Sequence, residues 1–342
     1  MYHFCTYFDH RYLSRGLALY SSLKAHCKGF SLHVLCLSEA CHDTLKSLNL
    51  PNLHPISMDQ FEAGDCALLE AKQNRSLVEY YFTCTPSLPL YVLKHFPQAD
   101  MVTYLDADMY FFGDPAAIFE EMGDNAIAIV AHRFPERVRY RERYGIYNVG
   151  ILAFRRDEHG LACLMWWRER CLEWCYDREE DGRFADQKYL DDWPTRFQGV
   201  IVLSHKGVNT APWNLENHEM SLQDGKIMVG DQPLILFHFH GLKRKGTWMY
   251  DPGVALYETK ISSLVRKKVY HPYIDALSEA AEALRRVSAG SEKVDNIRAS
   301  TATATESLSG LRLVKRRVKT LLQDCKKVAD GEYILVGNGR AI

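Results

Sequence analysis

The chain has 342 residues, 47% of them hydrophobic and 25% charged, with a formal net charge of −1. That is enough apolar material for a large globular core, and the near-neutral balance supplies no overall field to draw the chain onto nucleic acid or membrane. Ten cysteines are scattered without Cys-x-x-Cys spacing; with no signal-peptide pattern in MYHFCTYFDH and no long apolar span, they read as reduced core thiols of a cytoplasmic protein rather than zinc ligands.

In chain order, YHFCTYF (2–8) reads as a first strand, and Leu13, Leu17, Tyr20, Leu23 and Cys27 then recur at helical spacing. Residues 31–37 and 53–58 follow as strands, and MVTYL and MYFF bracket the acidic pair Asp106 and Asp108. Further strands are expected at 126–131, 150–154, 200–203 and 234–240, with a long helix starting at an Asp157 cap. This alternation predicts an α/β fold, a mixed and mostly parallel central sheet flanked by helices. There is no internal repeat and no glycine-rich phosphate loop, which argues against a sugar nucleotidyltransferase.

The character changes after Pro252. The expected organisation is a catalytic domain over 1–252, a helical C-terminal extension over 253–287, a polar linker over 288–307 and a basic amphipathic helix and tail over 308–342. In that last stretch Leu311, Val314, Val318, Leu321, Leu322 and Cys325 share one helical face amid seven lysines and arginines. Such a helix can lie on an anionic membrane surface through residues 310–328, placing the protein peripherally on the inner face of the cell membrane, or dock on its own domain.

The stretch TYLDADMYFFGDP (103–115) brings two carboxylates to the end of an apolar run, where each repels the other and loses hydration. Three explanations fit: a solvated turn, a phosphatase of the haloacid dehalogenase type with one Asp as nucleophile and the other as acid, or a divalent cation held against a diphosphate. The phosphatase pattern starts at the first strand and has Thr or Val where Tyr110 stands, so it fits poorly. Oxygen ligands suit Mg²⁺ or Mn²⁺.

Five blocks in order then resemble the retaining GT-A glycosyltransferases of family eight, the glycogenin and bacterial lipopolysaccharide galactosyltransferase family, over about residues 2–245: YLSRGLALYSSLKAH (12–26), the Asp-x-Asp pair, YNVGILAF (147–154), ADQKYLDDW (185–193) and FHFHGLKRKG (237–246). The resemblance implies the GT-A nucleotide-diphospho-sugar transferase fold. It also implies a metal-dependent transferase, moving a hexosyl or N-acetylhexosaminyl group from a nucleotide-sugar donor, a UDP-sugar, to a glycan or glycolipid hydroxyl.

By the same resemblance, Asp106, Asp108 and His238 hold Mn²⁺ or Mg²⁺, with His240 as the rival to His238. Thr6, Tyr7 and Tyr12 line the base and ribose, and Gly241 and Lys243 meet the diphosphate, with Arg244 and Lys245 beside them. Asn148, Gly150, Asp186 and Gln187 surround the donor sugar, where Asn148, Asp186 and Gln187 are the catalytic set; the Gln187 amide oxygen faces the developing oxocarbenium ion without acting as a strong nucleophile. If the reaction inverted instead, Asp191 or Asp192 would be the base. Trp213 and Asn214 are placed against the acceptor. The strings APWNL and DQKYLDDW are similar to those of bacterial envelope and capsule enzymes. Two departures stand out: Pro89 occupies the place of a family Arg or Lys before the Asp-x-Asp, for which Arg75 or Lys72 would substitute, and KRKGTW replaces the family's Lys-Pro-Trp. A non-catalytic glycan-binding protein of the same fold is the alternative from another class.

Overall fold

The computed structural model of the protein describes residues 1–246, 248–290, 327–328, 332–337 and 340–341, side chains of 288–290 excepted. The basic amphipathic helix expected over 310–328 lies outside the described residues but for 327–328, and so does the expected linker beyond residue 290. The chain divides into two compact units, Met1–His240 and Gly241–Ile342.

The first unit contains strands β1 (Tyr2–Phe8), β2 (Phe30–Cys36), β3 (Leu53–Ser57), β4 (Met101–Leu105), β5 (Met109–Phe111), β6 (Ile127–Ala131), β7 (Tyr147–Arg155), β8 (Val200–Leu203), β9 (Met220–Gln223), β10 (Lys226–Val229), β11 (Gln232–Pro233) and β12 (Leu236–His238). Seven of these form the central sheet in the order β3-β2-β1-β4-β7-β6-β8. Every neighbouring pair is parallel except those made by β7, which runs antiparallel to both β4 and β6. This is the mixed, mostly parallel sheet expected. All seven positions of β2 are buried, as are seven of nine in β7, because strands covered on both faces need near-continuous apolar runs.

Helices α1 (Leu13–His26), α2 (Glu39–Leu48), α3 (Met58–Glu62), α4 (Cys66–Gln73), α5 (Leu77–His95), α6 (Ala116–Met122), α7 (Glu158–Glu173) and α8 (Trp193–Arg196) flank the sheet. Their starts follow from local chemistry. Ser57 with Gln60 and Ser76 with Glu79 form capping boxes, and Asp157 accepts from the Gly160 N–H at 2.8 Å to open α7 as expected. On one sheet face Cys5, Leu35, Val102, Leu152 and Phe154 pack against Cys84, Leu88 and Val92 of α5 and Leu164, Trp167 and Cys171 of α7. Burying each of the larger side chains is worth about 1.5–3 kcal/mol. Trp167, fully buried, donates its indole N–H to the Asp186 carbonyl at 2.8 Å, so this core also anchors a site residue. The nine described cysteines are free, and all but Cys66 are buried.

The second unit holds a four-stranded antiparallel sheet of β13 (Lys243–Lys245), β14 (Met249–Asp251), β15 (Ile334–Gly337) and β16 (Arg340–Ala341). Its helices are α9 (Ser263–Val265) and α10 (His271–Gly290), joined by a π-helical turn. The helical extension expected over 253–287 consists of a 3-10 turn at Val254–Tyr257 followed by α9, the π-helical turn and α10. Gly253 and Gly241 both have positive φ, and a Cβ on Gly253 would meet the Gly241 backbone at 2.8 Å. Residues 334–337, expected as part of a tail, form a strand whose Ile334 is fully buried. Among the described residues no helix is long and apolar enough to cross a membrane.

Candidate active site

Because β7 runs against its neighbours, its N-terminal end shares one sheet edge with the C-terminal ends of β1, β4 and β6. Asp106 follows β4, His132 follows β6, Asn148 opens β7 and Tyr7 closes β1, so polar groups gather at the edge where open α/β sheets bind ligands.

The chain then completes a candidate metal site. After the Asp106–Asp108 turn, β5 pairs antiparallel with β12, setting Met109 opposite His238, and the Phe239 N–H donates to the Asp108 carbonyl at 2.9 Å. The turn is pinned from the other side by the Asp106 N–H, which donates to the Gly150 carbonyl at 2.9 Å. As a result His238 Nε2 lies 3.1 Å from Asp108 Oδ1 and 3.6 Å from Asp106 Oδ2. The ligand atoms of Asp108, His238 and His240 all lie within 4.8 Å of one another. His238 belongs to both groupings and is buried; β12 ends at His238, so His240 sits in the following turn and is exposed.

Charge follows geometry. Burial alone would lower the His238 pKa, but the Asp108 carboxylate beside it raises it. Burial works against ionising Asp108, and the His238 charge overcomes it, holding that carboxyl well below its ordinary range. Asp106 goes the other way: burial pushes its pKa up despite His238, with the Asp108 charge adding to the rise. The Tyr104 hydroxyl donates to Asp106 Oδ1 at 2.9 Å. Two carboxylates and an imidazole make the mixed oxygen and nitrogen donor set that Mn²⁺ takes readily and Mg²⁺ accepts.

Beside this cluster, Asp186 is only 6% exposed, and burial pushes its carboxyl up to about 7 although Thr85 hydrogen-bonds it. The Asn148 amide nitrogen lies 3.5 Å from Gln187 Oε1, and Gln187 Nε2 donates to the Tyr144 carbonyl at 3.0 Å. Gly150 makes this packing possible: a Cβ there would stand 2.5 Å from Asn148 Oδ1, 2.7 Å from Met109 Cε and 2.9 Å from His238 Cε1. Tyr7 is half-buried, with its hydroxyl 3.2 Å from Thr85 Oγ1, whereas Thr6 is fully buried in β1. Tyr12, next to α1, is 44% exposed with the Arg15 guanidinium 4.5 Å from its ring centre. Gly241 and Lys243 belong to the second unit, the first in a positive-φ turn and the second exposed on β13.

No protein-family profile matches the chain. The protein YfnD of Bacillus subtilis (strain 168), itself uncharacterized, is 30% identical over 276 residues, which are 80% of this chain and 88% of YfnD. YfnF of the same organism, also uncharacterized, is 35% identical over 248 residues, 70% of this chain and 81% of YfnF. The chain belongs to the YfnD/YfnF family. Among solved structures it is similar to the galactosyltransferase LgtC in complex with donor and acceptor sugar analogs, at 17% identity and a TM-score of 0.48, covering 78% of this chain and 100% of that one. It is likewise similar to mouse xyloside xylosyltransferase 1, at 14% identity and a TM-score of 0.46, with 70% and 98% covered. A third is the glycosyltransferase GlyE of Streptococcus pneumoniae TIGR4, at 15% identity and a TM-score of 0.47, with 84% and 63% covered.

The structure places the remaining expected residues of this YfnD/YfnF-family protein as follows. Trp213 is 3% exposed and sets its ring edge-on to His132, His238 and His240, so it walls the histidine cluster instead of offering a face to an acceptor sugar. Asn214 spends its amide within the fold, donating to the His132 and Asn209 carbonyls at 3.0 Å each and accepting from the Ala211 N–H at 2.9 Å. Arg75 is engaged by Tyr176 and the Leu172 carbonyl, and Lys72 by Glu62 at 2.7 Å, so neither is held ready for phosphate. Asp191 accepts from the Ile146 N–H at 2.8 Å and pairs with Lys188 at 2.8 Å, a fixed structural role that suits a general base poorly. His132 and Tyr104 escaped the sequence reading.

Proposed function

We propose that the protein is a metal-dependent glycosyltransferase of the GT-A, family-eight type, transferring a hexosyl or N-acetylhexosaminyl group from a nucleotide diphosphate, a UDP-sugar, to a glycan or glycolipid hydroxyl with retention of configuration. One observation carries the reading: His238, some 130 positions beyond the acidic pair, lies 3.1 Å from Asp108 and 3.6 Å from Asp106 at the sheet edge, in the order and context of the five sequence blocks. A solvated turn would not recruit a buried histidine.

Asp106, Asp108 and His238 would hold Mn²⁺ or Mg²⁺. When bound, that ion supplies Lewis-acid stabilisation of the negative charge on the departing diphosphate, an effect worth several kcal/mol. Tyr12 offers an exposed ring to the base and Tyr7 borders the ribose, while Gly241 and Lys243 are assigned to the diphosphate on the strength of the FHFHGLKRKG block. Asn148, Asp186 and Gln187 orient the donor sugar. Retention is supported by the ADQKYLDDW block, whose Asp-Gln pair resembles that of retaining enzymes; Asp186 itself, a buried carboxyl pushed up to about 7, donates a hydrogen bond to a sugar hydroxyl more readily than it attacks carbon. A haloacid dehalogenase phosphatase needs a free nucleophilic carboxylate, and both candidates here are tied to His238. The acceptor reading passes from Trp213 and Asn214 to the acceptor's chemical class alone, and peripheral membrane contact through 310–328 stays with the proposal.

Incubation with a panel of nucleotide sugars, with and without Mn²⁺, tests the reading. Metal-dependent release of one nucleoside diphosphate and a product whose first-formed linkage is α from an α-donor, seen by proton NMR, are expected. No release from any donor would reject the transferase, and a β-linkage would reject retention.

A further inference from the structure

His132 has no role in the site residues named so far, yet it touches the amide that touches Gln187. The ring is 6% exposed, stacked on Phe134 with centroids 4.6 Å apart, and edge-on to Trp213. Its two nitrogens face different partners. Nδ1 lies 3.2 Å from the Ile146 carbonyl, and Nε2 lies 3.3 Å from the Asn148 amide nitrogen. A carbonyl can only accept, so Nδ1 must carry the proton; in a neutral imidazole Nε2 is then an acceptor. Asn148 must therefore present its NH₂ to the ring, and the opposite end agrees, because the Gly150 N–H donates to Asn148 Oδ1 at 3.2 Å. The second amide hydrogen is left for Gln187 Oε1 at 3.5 Å, while the other end of Gln187 donates to the Tyr144 carbonyl. Each donor meets an acceptor along the whole row.

The row closes on itself. Asp191, four residues beyond Gln187, accepts from the Ile146 N–H at 2.8 Å and so anchors the residue whose carbonyl, in the next peptide unit, selects the His132 tautomer. Gly145 leaves the space that Gln187 fills: its φ is +136°, and a Cβ there would stand 2.9 Å from Gln187 Cγ.

We propose that His132 is a positioning residue whose Nδ1–H tautomer, acting through Asn148, fixes which end of the Gln187 amide faces the donor sugar. Reversing the tautomer would turn Asn148 round and set its oxygen against Gln187 Oε1, so that Gln187 either faces a repulsive pair there or turns and loses its bond to the Tyr144 carbonyl, and in either case its carbonyl oxygen is no longer held in place. Each mismatched buried pair along the row is disfavoured, so the orientations change together or not at all. The inference rests on the sugar-transfer reading for its consequence, but the tautomer does not depend on it.

Two measurements test it. Nitrogen-15 NMR of the full chain should show His132 neutral with its proton on Nδ1 at pH 7; an Nε2–H tautomer overturns the proposal whether or not the protein transfers sugar. For turnover, His132→Gln keeps an acceptor near the Nε2 position, while His132→Asn keeps the contact to Ile146 and offers Asn148 nothing. His132→Asn should lower kcat by roughly 10- to 100-fold with the donor KM and the Mn²⁺-dependent affinity for nucleoside diphosphate little changed, and His132→Gln should recover most of the loss. Equal kcat losses in both variants, tracking their Tm shifts, would mean that the ring only fills space. Wild-type protein without transfer activity but with the Nδ1–H tautomer would reject the transferase reading and leave the amide row standing.

Discussion

Replacing Asp186 with asparagine should remove a pH dependence of stability that the wild-type chain carries in its metal-free form. The carboxyl is 6% exposed, and burial raises its pKa from 3.8 in the unfolded chain to about 7 in the fold. A raised acid pKa means that the folded state holds the proton more tightly than the unfolded state does. Its contribution to stability is fully present below pH 3.8 and is lost as pH rises through about 7. A shift of about 3 pH units corresponds to about 4 kcal/mol at 1.36 kcal/mol per unit. The amide of the variant has no such proton to lose. Urea unfolding followed by tryptophan fluorescence in chelator, from pH 5 to pH 8, should therefore show the wild type losing about 2.5–3 kcal/mol relative to Asp186→Asn, most of it between about pH 5 and 7, the remainder of the full effect having been lost between pH 3.8 and 5. A difference between the two proteins that stays constant across this range would refute the assignment of a protonated, buried Asp186, and with it the proposed role of that carboxyl as a hydrogen-bond donor to the sugar.

Three further outcomes follow from the same geometry. Asp108→Asn should weaken Mn²⁺ binding by at least about 100-fold and abolish turnover; wild-type affinity by calorimetry would reject Asp108 as a ligand. Gly150→Ala should destabilise the fold by about 1–3 kcal/mol, since the new methyl meets Asn148, Met109 and His238 in a buried space, and it should weaken metal binding as well; an unchanged urea midpoint would show that the three side chains yield freely. Because the His238 pKa is raised in the metal-free protein, Mn²⁺ must displace a proton there, and the apparent affinity should climb with pH above 6.5 until His238 is neutral. A pH-independent Mn²⁺ affinity would contradict the pairing of His238 with Asp108.

Much of the fold was legible because its signals are local. Apolar runs such as SLHVLCL and the capping Asp157 mark strands and a helix start without reference to the rest of the chain. The Asp-x-Asp turn was legible for a related reason, since two acids at the end of a buried run violate the ordinary pattern and invite explanation. What the sequence could not convey was pairing. The β5–β12 contact that delivers His238 to Asp108 and ends the strand before His240 is a matter of register between distant segments. Trp213 and Asn214 stand in a polar loop of the sequence, and only their packing shows that Trp213 lies edge-on to His132 and that the Asn214 amide donates to the His132 carbonyl. His132 was missed because a single histidine after a strand has no distinguishing pattern until Asn148 and Gln187 are seen to line up with it.

The most direct test of the central claim is anomalous diffraction from crystals grown with Mn²⁺ and UDP. One manganese peak bonded to Asp106, Asp108 and His238 and to oxygens of the diphosphate is the expected result. A manganese ion on other residues, or UDP bound with no metal between it and these three side chains, would contradict it.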